Sequence, residues 1–391
     1  MPAVFDPAEV AFAHEPLFIG QVHDGVDEEG ELAFHAVVCG GGAEFDERGG
    51  DFSVCKHKNA FMTGKHRNTD VLRSVDFCLS LLKIKAMRKF ISLLFSVVII
   101  SCSHNVGGGE PSRLDGLRDT LSAIASRYPG EVGIALVTGD GDTLTVNNQA
   151  KYPLMSVFKL HQAMALCDMM ERQGIGLDTV VEIPAEQINP DTWSPMREEH
   201  GAGPVSLPVS VLLRYTLMQS DNNASNYMFD NLLSVEATDR YAATLIPRES
   251  FLLTVTEEDM FEDHSLCYEN RSSPLGAALL IERLCTDTVV CTRDRDFIIR
   301  SMRECRTGTD RIVAPLAGKE GVTVAHKTGS GFRDPSTGIL TAHNDVAFIS
   351  LPDGRHYSLA VLVKDFKGSE AEASLAIAEV SAAVYSALAG E

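Results

Sequence analysis

Apolar residues recur along this chain in two registers, and the switches between them mark out its elements. Leu114, Leu117, Leu121, Ile124 and Ala125 repeat at helical spacing from Arg113 onward, and Tyr128-Pro129-Gly130 stops that helix. "GIALVTGDGDTLTVNN" then alternates around Gly139-Asp140-Gly141-Asp142, a hairpin signal. Helical spacing returns over Ser156–Gln173, Val209–Leu217, Asn223–Leu233 and Pro274–Leu284. The last part reverts to strands in "VTVAHKTG", "DVAFISLP" and "YSLAVLVKDF", with Asp353-Gly354 as a second hairpin signal. An Ala-rich helix from about Glu370 to Leu388 closes the chain. No repeats occur. The pattern predicts an α+β unit over residues 113–391, with terminal helices on an antiparallel sheet and an all-helical subdomain inserted between early and late strands. Chemistry would gather where the insertion meets the sheet.

Upstream of residue 113 the pattern changes character. Residues 87–102 read "MRKFISLLFSVVIISC": two cations after Met87, an apolar run from Phe90 to Ile100, then Cys102. That is the layout of a secretory signal. The run spans only ~18 Å as a helix, short of a ~30 Å bilayer core. Ile99-Ile100-Ser101-Cys102 resembles a bacterial lipobox, which makes Cys102 a lipidation site and residues 87–102 a lipoprotein signal peptide. Export signals act at an N-terminus, yet 86 residues precede this one. They show no sustained helical or alternating period and hold five of the twelve histidines. Residues 1–86 are therefore expected to be a non-native upstream extension. Residues 103–112, "SHNVGGGEPS", read as a Gly-rich tether.

Composition narrows the function. With 391 residues, 45% apolar and 23% charged, the chain can bury a large core. A net charge of −20 argues against a nucleic-acid partner. Nine cysteines form no C-x-x-C pair, no H-E-x-x-H occurs, and the Gly-rich runs at 40–42 and 107–109 lie outside the folded unit, so neither a metal nor another cofactor is expected. Cys167, Cys267, Cys285, Cys291 and Cys305 read mainly as small buried hydrophobes, a pair among the last three remaining open.

One feature of the first inserted helix needs a chemical reading. Ser156 and Lys159 stand three apart in "SVFKL", so they share a helix face. Ser-x-x-Lys alone is weak; roughly one or two matches arise by chance in a chain this long, and Ser53–Lys56 and Ser80–Lys83 are two. Two more motifs follow in order. Ser220-Asp221-Asn222 falls in a break between helices, 64 residues after Ser156, and Lys327-Thr328-Gly329 ends a strand 107 residues later. Ser-x-x-Lys, Ser-Asp-Asn and Lys-Thr-Gly together mark class A β-lactamases and penicillin-binding proteins. Over nearly all of residues 113–391 the sequence resembles class A serine β-lactamases. It is most similar to their CfxA/PER-like branch, through "SDNNASN", "AHKTGSG" and "LPDGRHYSLAVLVKDFKG".

The resemblance implies a five-stranded sheet and a small-molecule β-lactam as partner. Ser156 would be the nucleophile, activated by Lys159 or by Glu257 through a water, and both bases stay open. Backbone N–H groups of Ser156 and Ser330 would receive the oxyanion. Ser220 would pass a proton to the leaving nitrogen, and Asn222 would hold the substrate's amide and the buried lysine. Lys327, Thr328 and Ser330 would bind the substrate carboxylate. Arg311, in "TGTDRIVAPL", stands where the branch adds an arginine, and Trp193, in "DTWSP", matches an aromatic gate.

Glu257, in the acidic stretch "TVTEEDMFEDHS" between helices, separates hydrolase from penicillin target. It is preferred to Glu258 because Met260 then replaces the apolar residue of the family's E-x-x-L-N; Phe261 then replaces the water-holding Asn. The function implied is β-lactam hydrolysis, with cephalosporins favoured, conferring antibiotic resistance. A D-Ala-D-Ala peptidase with slow deacylation is the alternative. The expected setting is the periplasm, as a monomer touching membrane only through lipidated Cys102.

Overall fold

The computed structural model describes residues 18–19, 23–26, 32–39, 43–46, 53–54, 113–148 and 151–390. It divides into two units, Met1–Gly108 and Gly109–Glu391. In the first, Leu32–Cys39 pairs antiparallel with Phe18–Ile19, His23–Val26 and Ala43–Asp46, and the last of these with Ser53–Val54. These strands depart from the expectation, since apolar positions in residues 1–86 show no sustained alternation that would mark them. The signal at 87–102, Cys102 and the tether at 103–112 lie outside the described residues.

The second unit is built on five antiparallel strands: β1 (Glu131–Thr138), β2 (Thr143–Val146), β3 (Thr323–Ser330), β4 (Leu340–Ser350) and β5 (His356–Phe366). Their spatial order is β3-β4-β5-β1-β2. Gly141 and Gly354 take φ of 87° and 85° in the two hairpin turns, a region that costs glycine nothing. The central strands are buried on both faces, so they read as apolar runs rather than strict alternation.

One face of the sheet is covered by α1 (Arg113–Ser126) and the C-terminal helix Glu370–Ala389. Leu121, Ile134, Leu136, Val361, Ile377 and Val380 fill that layer. The C-terminal helix starts on a capping box between Ser369 and Glu372, which satisfies its first amides. The opposite face carries Ala135, Val137, Ala360 and Leu362 against the helix Pro274–Thr286. Beyond it lies the helical subdomain around α2 (Phe158–Arg172). Every α2 residue from Phe158 to Cys167 is buried, as expected of a helix enclosed on all sides. Truncating a core side chain such as Leu160 costs about 2–5 kcal/mol.

Three local readings are corrected. Ser156 sits in a single 3-10 turn, Met155–Val157, that precedes the α-helix rather than opening it. The acidic stretch is a helix at Glu257–Glu262, capped by Thr256 and Asp259, whose six residues are too few to show a period. Of the five described cysteines only Cys167 and Cys267 are buried; Cys285, Cys291 and Cys305 are partly exposed, and all five are free.

Candidate active site

The nucleophile turn is held from two sides before any catalytic group is placed. Fully buried Asn344, on β4, donates Nδ2 to the carbonyls of Pro153 (2.7 Å) and Leu154 (3.2 Å), and Leu154 N donates to Asn270 O at 2.8 Å. β3 presses against the same turn: a Cβ on Gly329 would lie 2.4 Å from Leu154 O. Only glycine fits there. Met155 is forced to φ 46°, a costly conformation for a side chain of its size. The strain sits one residue before Ser156.

Around Ser156 the polar side chains close into one network. Ser156 Oγ donates to Glu257 Oε1 at 2.5 Å and lies 3.0 Å from Lys159 Nζ. Lys159 also reaches Ser220 O at 2.8 Å, Asn222 Oδ1 at 2.6 Å and Glu257 Oε1 at 2.8 Å. Lys159 is completely buried and Glu257 nearly so. Glu258, in contrast, binds Nδ2 of Asn189. Burial pushes the Lys159 ammonium's pKa down, and the Glu257 carboxylate pulls it back up.

Ser220 links this network to β3. It holds φ 60°, and Lys327 Nζ donates to its Oγ at 2.9 Å. Lys327 is also completely buried, and burial, reinforced by Lys159, lowers its pKa to about 7. Two lysines thus flank one serine in a nearly dry site, where a Ser hydroxyl can gain a base and an incoming anion can find a cation.

The residues 116–388 match the model of the β-lactamase enzyme family. A β-lactamase of Phocaeicola vulgatus is 50% identical over 76% of this chain and 91% of its own length. The chain belongs to the β-lactamase enzyme family. The extended-spectrum β-lactamase PER-1 of Pseudomonas aeruginosa is 30% identical over 69% of this chain and 86% of its own. A class A β-lactamase crystal structure from Bacteroides cellulosilyticus superposes with a TM-score of 0.68 at 29% identity, covering 72% of this chain and all of that one. As a class A serine β-lactamase, this protein hydrolyses β-lactam antibiotics.

In this β-lactamase the remaining site residues take distinct places. Asn222 Nδ2 is engaged by Thr192 Oγ1 at 2.9 Å while its Oδ1 serves Lys159. Trp193 is 56% exposed, with Nε1 tied to Gln219 O at 2.8 Å, so its ring stands at the surface beside Ser220. Arg311 is buried rather than a surface group. Its Nη1 donates to Asn344 O (2.7 Å) and Gly329 O (3.3 Å), and Nη2 to Ser330 Oγ (2.7 Å). It braces the end of β3 and can reach a substrate only through that end. Thr328 Oγ1 lies 2.5 Å from Thr307 Oγ1, which engages the hydroxyl.

Sequence reasoning missed two positioning residues. Asp221 caps the helix Asn222–Asn231 by accepting from Ala224 N, and also accepts from Met196 N and Ser194 Oγ, fixing the Trp193 loop. An Asp ahead of a helix is a capping signal that could have found it. Asn344, which joins the nucleophile turn, Arg311 and Val363 N, carries no local signal at all.

Proposed function

We propose that hydrolysis runs through a Ser156 acyl-enzyme with Glu257 as base in both half-reactions. The observation that carries this is a count of hydrogens. Four oxygens lie within 3.0 Å of Lys159 Nζ, and an ammonium has three hydrogens. Taking Lys159 as the ammonium that the Glu257 carboxylate favours, Ser220 O, Asn222 Oδ1 and Glu257 accept all three hydrogens. The Ser156 proton then points to Glu257, where the shortest contact is.

Glu257 takes that proton as Oγ attacks the lactam carbonyl. Backbone N–H groups of Ser156 and Ser330 receive the oxyanion; one such donor is typically worth ~10²–10³ in rate. The C–N bond breaks as Ser220 protonates the leaving nitrogen and is reprotonated by Lys327. Glu257 releases its proton to solvent while Lys327 regains one. The ester oxygen no longer donates to Glu257, so the carboxylate is freed to admit and deprotonate a water. That water attacks the ester, and Ser156 leaves with the proton held by Glu257. Phe261, half-buried on the same short helix, has no group to anchor the water. Lys327 and Ser330, braced by Arg311, bind the substrate carboxylate, and Trp193 gates the entrance.

Glu257→Gln tests the assignment. Intact-mass measurement after mixing with a cephalosporin should find slowed acylation followed by an adduct on Ser156 that persists for many wild-type turnovers. An adduct cleared at the wild-type rate contradicts the role. Similarity to the extended-spectrum PER-1 supports a preference for cephalosporins over penicillins. A panel of one penicillin, two cephalosporins and a carbapenem checks it. The signal-like segment before Cys102 supports a lipid-anchored periplasmic location.

A further inference from the structure

A second reactive cluster lies behind the strand that carries Lys327, and the mechanism above does not use it. Successive β3 residues point to opposite faces, so His326 turns away from the cleft that Lys327 enters. His326 Nδ1 lies 3.0 Å from Oδ1 of Asp345 on β4, and His326 shares a cavity wall with Cys305, whose sulfur sits 3.7 Å from Thr307 O. Ring and carboxylate are both buried, whereas Cys305 is partly exposed. Cys305 and His326 line a cavity of about 240 Å³, together with Arg303, Lys319 and Val324. No residue of the Ser156 network forms its wall. A thiol and an imidazole thus share the wall of a space of small-molecule size, with a buried carboxylate behind them orienting the imidazole, surroundings that favour the thiolate.

The cluster touches the β-lactam site through bonded neighbours. Cys305 Sγ is 3.4 Å from Thr307 Oγ1, whose partner is Thr328 Oγ1 of the Lys-Thr-Gly strand. Charge links them too, since the sulfur's negative form favours protonated Lys327. We propose that Cys305 is a modification site for small uncharged soft electrophiles, separate from the β-lactam cleft and coupled to it through Thr307 and Lys327.

Electrostatics makes this thiol selective. Burial raises the pKa of Cys167, Cys267, Cys285 and Cys291. At Cys305 burial acts in the same direction, but His326, Lys327 and Thr307 together outweigh it and bring the thiol down to about 7. Asp345 in turn holds the His326 imidazolium up to about 10. The charges around the sulfur are His326 and Lys327 of β3, Asp345 of β4, Arg311 beyond Thr307, and Arg303 and Lys319 across the cavity. With iodoacetamide the thiolate attacks the methylene carbon. A C–S bond forms, the C–I bond breaks, and iodide leaves with the bonding pair. No proton moves, and the imidazolium keeps its charge.

The test treats the full-length protein with iodoacetamide across pH 5–10 and maps adducts by peptide mass spectrometry. Cys305 should react about tenfold faster at pH 7 than Cys167, Cys267, Cys285 or Cys291, with a rate midpoint near its own pKa. Acylating Ser156 beforehand should still leave Cys305 open to the reagent, because the adduct forms outside the β-lactam cleft. His326→Asn should move the midpoint up toward the ordinary thiol value of about 8.5. Loading Cys305 should raise KM for a β-lactam about threefold with kcat held, and Cys305→Ser should be immune to the reagent. A Cys305 that reacts no faster than buried Cys167 overturns the site, even should Cys305→Ser fold poorly. Full modification with KM unmoved overturns the coupling. Both readouts are independent of the Ser156–Glu257 assignment, which Glu257→Gln tests alone.

Discussion

Lys327 must be charged to hold a carboxylate, and its surroundings make that charge expensive. Its pKa in the free enzyme is lowered to about 7, first by burial and then by Lys159. A group with a lowered pKa loses its proton early as pH rises, so the cation is present below about 7 and fades above it. The kcat/KM profile reports free-enzyme ionisations, whereas kcat reports the complex, where a bound carboxylate favours the charged lysine. For a carboxylate-bearing β-lactam, kcat/KM should therefore fall above a midpoint near pH 7 while kcat stays flat for a further unit or more. Stopped-flow hydrolysis at both substrate limits checks this; parallel alkaline limbs would assign the titration to another group. At this scale the sequence was generous with identity and silent on environment. Ser156, Lys159, Ser220 and Lys327 stand in short motifs, so they could be read directly. That Lys159 faces four oxygens, or that Arg311 is buried against β3, depends on contacts between separate elements, those of Lys159 reaching to Ser220, Asn222 and Glu257.

β3 works as a single part: Lys327 enters the cleft from it, and His326 lies on its opposite face. Gly329 is the point where that part meets the nucleophile turn, since a Cβ there would fall 2.4 Å from Leu154 O and 3.1 Å from the Met155 Cβ. Neither obstacle is the end of a flexible side chain. Gly329→Ala should force β3 and the Ser156 turn apart by a fraction of an ångström. Overpacking of this kind costs about 1–3 kcal/mol, and small misplacements of reacting groups cost up to ~10²-fold in rate. A lowered Tm with kcat/KM reduced at least about tenfold is expected, and unchanged kinetics would show that the contact is not what sets the geometry. Asp221 makes the complementary case on the helical side. Asp221→Ala removes a cap worth about 1 kcal/mol and frees the Trp193 loop, so stability should drop modestly while KM rises. The element map was legible wherever a periodic run was long: both terminal helices, α2, and the hairpin strands appear close to their expected places. It failed where elements are short. The six-residue helix that positions Glu257 is defined by its caps, and the 3-10 turn under Ser156 by pressure from β3 and Asn344.

Among the described residues, the catalytic groups, two hydrophobic clusters and the cap networks lie within Gly109–Glu391. The terminal helices α1 and Glu370–Ala389 pack together on one face of the sheet, so this unit is closed by its own chain ends. A unit whose core is sealed in this way folds without help from preceding residues. Removing residues 1–108 should therefore leave Tm and kcat/KM within about twofold of the full chain, measured on the same β-lactam. A truncated protein that folds but loses activity would assign a catalytic part to the upstream strands. The same division predicts where a change at Cys102 acts. In cells, Cys102→Ala should shift enzyme from the membrane fraction to the soluble one while the specific activity of purified protein is unaltered. The proposed anchor at Cys102 and the Ser156 network occupy different stretches of the sequence, so a change at the one is expected to spare the chemistry of the other.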